Sequence, residues 1–290
     1  MIKTAILGQG YWGTKLYHTL QKISNCDVKQ SIDVKNGQDI DEIADDIEAV
    51  VIATPPQTHF ELIKKSLDKN LHIFVEKPIC QSSQECNQLD PLVTDKVLMT
   101  GHILLYNDCT QYIKDNIDFN QVNRINIVRN NWGRYQKDTV TPVLSFAPHD
   151  VALLDYLLDG LEINPVNKYN QKIVNKNVPD MSDILFQHKH ISINIRYTWL
   201  SIPKIRHVDI FSPTQICHWD DMEHSVKINQ NYMTNERFDY EPNQTSQTFI
   251  HEPLLKEMTH FFDCIKNGSS CRTDFAHAKR ITELVDILND

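Results

Sequence analysis

The residues with the clearest chemical potential are three glycines and a few ionisable side chains. Gly8-Gln9-Gly10-Tyr11-Trp12-Gly13 spells Gly-x-Gly-x-x-Gly between a short apolar run at 4–7 and a segment with Leu16 and Leu20 at helical spacing. Placed between a strand and a helix, each glycine has a mechanical reason. Gly8 permits the tight turn, Gly10 lets the backbone approach a pyrophosphate, and Gly13 lets helix and strand pack closely. The helix N-terminus adds free N–H groups and the positive end of its dipole for the phosphates. Asp33 follows Gly13 by twenty residues, at the end of a second predicted strand. A carboxylate there binds the two ribose hydroxyls of NAD and repels the 2′-phosphate of NADP. The pattern predicts an NAD site, with NADP the second choice because Lys35 is near enough in sequence to serve a phosphate.

Two further segments end predicted strands. In Ala53-Thr54-Pro55-Pro56-Gln57-Thr58-His59 the paired prolines force an extended chain that can wrap a flat ligand. Glu76-Lys77-Pro78 ends the next strand, at the sheet edge where open α/β sheets bind ligands. Pro78 cannot continue the ladder, so the peptide before it is a candidate for a cis bond or a tight turn. A lysine beside a cationic nicotinamide, partly buried, has its pKa lowered and can act as a general base or polarise a carbonyl. Lys77 is in the position to do so.

The elements that carry these residues alternate strand and helix over the first hundred positions. Ala49-Val50-Val51-Ile52-Ala53 is a continuous apolar run, as in a strand buried on both faces. Residues 11–22 and 57–69 have helical periodicity, and 28–32, 71–75 and 97–99 are strand-like. Such βαβ units build a doubly wound parallel sheet. Beyond about residue 120 the pattern becomes alternating: 123–129, 191–197 and parts of 205–218 read as half-exposed, mostly antiparallel strands. A helix is predicted at 148–158, with Pro148 in its first turn and Gly160 past its end. Residues 252–266 and 275–288 return to helical period, and the Asn-rich stretch 165–183 reads as a loop. The expected division is a Rossmann domain at 1–118 and a substrate-binding and oligomerisation α+β domain at 119–290, with the C-terminal helices free to pack back on the first domain.

Together these residues resemble the Gfo/Idh/MocA oxidoreductase family. The glycine turn, the Ala-Thr-Pro-Pro-x-x-His segment and Glu-Lys-Pro occur in its order and spacing. Gly101-His102 with Tyr106-Asn107 looks like the family's lead into its linking helix, and Ala147-Pro148-His149-Asp150 is similar to its catalytic helix start. The resemblance implies a Rossmann domain followed by an open antiparallel sheet, with substrate lying between the nicotinamide and that sheet. It implies hydride transfer between nicotinamide and a ring carbon of a sugar or sugar nucleotide. Gly8 to Gly13, Asp33, Thr54, Pro55, Pro56, His59, Glu76 and Lys77 are then the cofactor residues, and Lys77 and His149 the catalytic pair. A predicted helix N-terminus at His149 favours the neutral imidazole. Many relatives have Asp-x-x-x-His here. This chain has Ser145 instead, which can hydrogen-bond a sugar hydroxyl but cannot act as a carboxylate. Asp150 reads as a helix-start charge.

The segment 199–206, followed later by Asp220-Asp221, looks like members from sugar-nucleotide pathways. Among Arg124, Arg129, Arg134, Lys137 and Arg206 most read as exposed strand charges. Lys204 and Arg206 are the candidates for a substrate diphosphate. Ser145 also keeps open a non-catalytic sensor of nucleotides or sugars, and a glycosidase in which bound NAD is reduced and reoxidised within one turnover.

Composition sets outer limits. The net charge of −9, from 29 basic and 38 acidic residues, argues against a nucleic-acid partner. Seven scattered cysteines without Cys-x-x-Cys suggest reduced thiols in a cytoplasmic protein, with no metal site. No apolar run is long enough to span a membrane, and the N-terminus does not read as a signal peptide. The alternating strands are expected to leave an open apolar face, which predicts a homodimer or homotetramer.

Overall fold

A computed structural model describes all residues except 34, 35, 37, 38, 94, 133–139, 231, 232, 235, 236, 239–242, 251 and 290. Lys35, Arg134 and Lys137 therefore lie outside the described residues. In chain order the elements begin β1 (Ile2–Leu7), α1 (Tyr11–Leu20), β2 (Cys26–Ile32), β3 (Ala49–Ile52), α2 (His59–Asp68), β4 (His72–Glu76), α3 (Ser83–Leu89), β5 (Leu98–Gly101) and α4 (Asp108–Asn116). They continue β6 (Arg124–Trp132), α5 (Pro142–Leu157), β7 (Asn164–Gln171), β8 (Met181–His188), β9 (Ile191–Thr198), β10 (Leu200–Phe211) and β11 (Gln215–Asp220). Last come β12 (Ser225–Gln230), β13 (Met233–Thr234), β14 (Arg237–Phe238), β15 (Asn243–Thr248), α6 (Pro253–Asn267) and α7 (Phe275–Asn289).

Contacts divide the chain into two units, Met1–Tyr106 with Glu252–Asp286, and Asn107–His251 with Ile287–Asp290. Asn107, whose side chain accepts from the Cys109 N–H, caps α4, and α4 counts with the second unit. The first unit holds a five-stranded parallel sheet in the order β2-β1-β3-β4-β5. Its middle strands are apolar throughout: Ala49, Val50, Val51 and Ile52 are all fully buried, as helices on both faces require.

The second unit holds an eight-stranded sheet in the order β15-β12-β11-β10-β6-β9-β8-β7. All its pairs are antiparallel except β6 with β9. Ile125, Ile127, Ile193, Ile195 and Tyr197 alternate inward and form the core with α5. The opposite face is mixed rather than uniformly apolar. Half-buried Asn126, Asn194, His207, Asp209 and His218 share its outward positions with half-buried Val128, Ile205, Phe211 and Ile216. Two sequence expectations change. The stretch 165–183 contains strand β7, an edge strand exposed at most positions, whose polar composition suits an edge and hides its pairing. The helix expected from 148 begins at Pro142, with Thr141 as N-cap accepting from the Leu144 N–H. Pro148 therefore lies inside α5.

Candidate functional site

In the first unit the predicted residues gather along the carboxyl edge of the parallel sheet. The glycine turn is built as its sequence requires. Gly8 has φ of +100°, and a Cβ on it would come within 2.7 Å of the Ala53 carbonyl oxygen. A Cβ on Gly13 would lie 1.9 Å from the Gly8 carbonyl oxygen, so only glycine allows α1 to start this close to the strand. Gly10, by contrast, has nothing among the described residues within 4 Å of its Cβ position. It is the N-cap of α1, and no side chain among the described residues caps it. An uncapped helix N-terminus beside an open glycine fits a pyrophosphate. Exposed Tyr11 and Trp12 start the helix, and Gln9 reaches back to the Ser31 carbonyl at 3.4 Å. Asp33 follows β2 and is half-buried, with one carboxyl oxygen accepting from the Asn36 amide at 3.1 Å. These residues have the chemistry to hold a dinucleotide: a carboxylate for ribose hydroxyls and an open glycine turn for phosphates.

The loop after β3 differs from its expected use. Pro55 is exposed, but Thr54 is buried and its hydroxyl lies 2.6 Å from that of Thr58. His59 is fully buried, its ring nitrogens 2.8 Å from the Pro78 carbonyl oxygen and 3.0 Å from that of Thr54. Burial lowers its pKa against the pull of those two carbonyls. His59 thus ties the loop after β3 to the turn after β4, and its burial leaves it no surface for a cofactor. Sequence placed it at the right edge but could not show that both nitrogens are used internally.

Lys77 directly follows β4 and is half-buried, and the Lys77–Pro78 peptide is cis. Its charge lowers the pKa of both His59 and His102, although burial is the larger cause for each. Glu76 turns its carboxyl inward, 3.4 Å from where a Gly101 Cβ would be. Burial pushes its pKa up to about 7, against the opposing pull of Lys77. Glu257, on α6, lies outside the predicted site residues. It is 1% exposed, and neither carboxyl oxygen has a hydrogen-bond partner among the described residues. Burial, and then the charge of Glu76, holds its pKa well above the usual range. Two acids with raised pKa therefore accompany Lys77 in this unit. His102 lies against His277, ring centroids 5.3 Å apart.

In the second unit α5 is buried almost all round, and Ser145 and His149 are two of its few half-exposed positions. Four residues apart, they share one face. His149 lies in the interior of α5, so the helix-terminus argument for its neutrality does not hold. Asp150 is likewise no helix-start charge. It is fully buried and takes both Nε and Nη2 of Arg129, with Nε 2.9 and 3.0 Å from its two oxygens. Arg129 is only 4% exposed, not a surface strand charge. Tyr197 and Arg206 stand level with Arg129 on the neighbouring strands β9 and β10. Arg206 already pairs with Asp221 at 3.3 Å. Lys204 is exposed in the irregular segment where β10 shifts register against β6. Arg124 is exposed and bonded to Asn126.

These features define an NAD-binding Rossmann unit followed in the chain by an α+β unit with a large mixed sheet. Residues 14–102 match the model of the oxidoreductase family with an NAD-binding Rossmann fold, Gfo/Idh/MocA. That match lies within the first unit of the chain. Among curated proteins, 2,7-anhydro-N-acetylneuraminate hydratase of Mediterraneibacter gnavus is 28% identical over 151 residues, 46% of this chain and 40% of that protein. The matched stretch thus spans less than half of that relative. The NAD+-dependent scyllo-inositol 2-dehydrogenase of Bacillus subtilis is 23% identical over 81% of this chain and 73% of its own. Among solved structures, UDP-N-acetylglucosamine 3-dehydrogenase of Acidithiobacillus ferrooxidans superposes with a TM-score of 0.86 at 17% identity, covering 98% of this chain and 95% of that one. The fold is shared across nearly the whole chain. No helix among the described residues is long and apolar enough to cross a membrane.

Proposed function

We propose that this chain is an NAD-dependent oxidoreductase acting at a ring carbon of a sugar or sugar nucleotide. The observation that carries the reading is Lys77 at the carboxyl edge of the parallel sheet, the same edge as the glycine turn, where its charge opposes protonation of buried His59 and His102. Bound NAD supplies the hydride acceptor or donor. Lys77 takes the proton from a carbinol, or donates to a carbonyl, at the substrate oxygen. His149 and Ser145 share one face of α5, a pair suited to binding hydroxyls and exchanging a proton with one of them. Exposed Lys204 suits a substrate phosphate, whereas Arg206 must leave Asp221 to do so. The expected partners are a small sugar-type substrate and further copies of this chain.

A second reading draws on the name of one relative. A hydratase adds water with no net redox change, and Ser145 marks a departure from the usual acid of the family. In that case bound NAD returns to its starting state in each turnover. A screen over sugars and sugar nucleotides with NAD separates the two. Absorbance of reduced cofactor accumulating in step with product supports the dehydrogenase. Product without any net change in cofactor supports the redox-neutral reading. Neither, with cofactor bound, would count against catalysis. Calorimetry tests cofactor choice: NAD binds more tightly than NADP, and Asp33→Ala narrows the gap. Tighter binding of NADP to the intact protein contradicts it. Light scattering at micromolar concentration tests association, with the mass of a single chain as the contrary result.

A further inference from the structure

Away from the sheet edge, the first unit brings together side chains that the sequence scatters. His260 and Cys264 are one helical turn apart on α6 and share a face. The helix ends at Asn267, Gly268 adopts φ of +63°, and the chain doubles back to deliver Cys271. One ligand atom from each of His260, Cys264 and Cys271 lies within 4.8 Å of the other two. Cys264 Sγ is 3.5 Å from His260 Nε2. A thiolate and an imidazole bound to one zinc, at ~2.3 and ~2.0 Å across a tetrahedral angle, stand about 3.5 Å apart. Both cysteines are buried and neither is in a disulfide. A cleft lined by Asp95, Lys96, Ser269 and Asp274, as well as by both cysteines, gives an ion and a water a way in.

We propose that His260, Cys264 and Cys271 form a site for a thiophilic divalent cation of the zinc class, with a fourth position for water from the cleft. The cation gains two sulfur ligands and one nitrogen, two thiol protons leave to solvent, and nothing is oxidised or reduced. Two existing bonds must change. The Cys264 thiol donates to the Ser270 carbonyl at 3.5 Å and loses that proton, and the Arg272 N–H donates to His260 Nε2 at 3.0 Å. When Nε2 turns to the cation, that N–H, next in the chain to Cys271, is free to donate to a thiolate. The bound cation would pin the end of α6 to the segment leading into α7.

The test uses the full chain, stripped with chelator and titrated with Co2+. The expected result is one equivalent bound with thiolate-to-cobalt charge-transfer absorption, displaced by Zn2+. Because two protons leave, affinity rises by up to ~100-fold per pH unit. Cys264→Ser and Cys271→Ser each weaken binding by more than the ~10–100-fold that losing an outer-shell partner costs, and Cys86→Ser leaves it unchanged. A spectrum unaltered by Co2+, or an absorption that survives Cys271→Ser, overturns the site. Alkylation of the unsubstituted protein, mapped by mass spectrometry, gives an answer even if the variants misfold. Zn2+ slows the reaction at Cys264 and Cys271 relative to the other five cysteines. Equal rates with and without Zn2+ overturn the proposal.

Discussion

The two units hold their polar groups by different means. In the first, the backbone does it. The glycine turn, the strand ends and the Lys77–Pro78 turn fix positions directly, and His59 ties two of these loops together through main-chain carbonyls. In the second, a side-chain pair does it. His149 and Ser145 ride on a helix that is apolar almost all round, so its rotation against the sheet is set by the Arg129–Asp150 pair buried beneath it. Apolar side chains tolerate small rotations, but a bidentate guanidinium–carboxylate contact accepts few geometries. The first arrangement should therefore survive many side-chain changes, whereas the second depends on one ion pair.

The largest effect should come from breaking that pair. Asp150→Ala leaves the Arg129 charge buried and uncompensated, and removing one partner of a buried pair costs ~3–5 kcal/mol. Urea denaturation followed by tryptophan fluorescence measures it, since Trp132, Trp199 and Trp219 lie in the second unit. A loss below ~1 kcal/mol, the scale of an exposed pair, would show that α5 is held otherwise.

The first unit should respond to pH instead. Glu76 has its pKa raised from 4.5 to about 7 on folding, chiefly by burial. The folded state then holds a proton that the unfolded state has released between those values. Stability from this group is fully present below pH 4.5, falls as pH rises through about 7, and is flat above. The full swing is at most ~3 kcal/mol, and Glu257 acts with the same sign. Glu76→Gln should flatten the decline between pH 5 and 8. An unchanged pH slope in this variant would mean that the carboxyl is not desolvated as described.

The smallest effect belongs to the helix start. Thr141→Ala removes the N-cap of α5 and should cost ~1 kcal/mol, read in the same denaturation experiment. No change would place the start of α5 elsewhere.

The same difference in construction decides what could be read from the sequence. Gly8, Gly10 and Gly13 act through local backbone geometry, so their spacing alone carries the turn and the helix that follows. The apolar run at 49–53 declares its own burial. By contrast, Arg129 and Asp150 are twenty-one residues apart and become partners only when α5 lies across β6. Without that pairing each looks like a surface charge. Pro148 drew the predicted helix start to itself, although Thr141-Pro142 is the better local signal: a capping threonine followed by a proline at the first helical position. Edge strand β7 was hidden because exposure on both faces erases the alternation that marks a strand. Glu257 sits in an ordinary amphipathic helix, and nothing local marks a carboxylate that will end up unpartnered in a core.

The central claim is that Lys77 manages the substrate's proton in a redox step. Single-turnover kinetics of Lys77→Ala, with NAD bound and a substrate identified by the screen, test it most directly. The variant should bind NAD as the parent does, since the glycine turn and Asp33 are intact. The chemical step should slow by at least ~10²-fold, as expected for loss of a positioned acid or base. Transfer at the parent rate in Lys77→Ala would contradict the account and return the catalytic role to residues on α5 or to none.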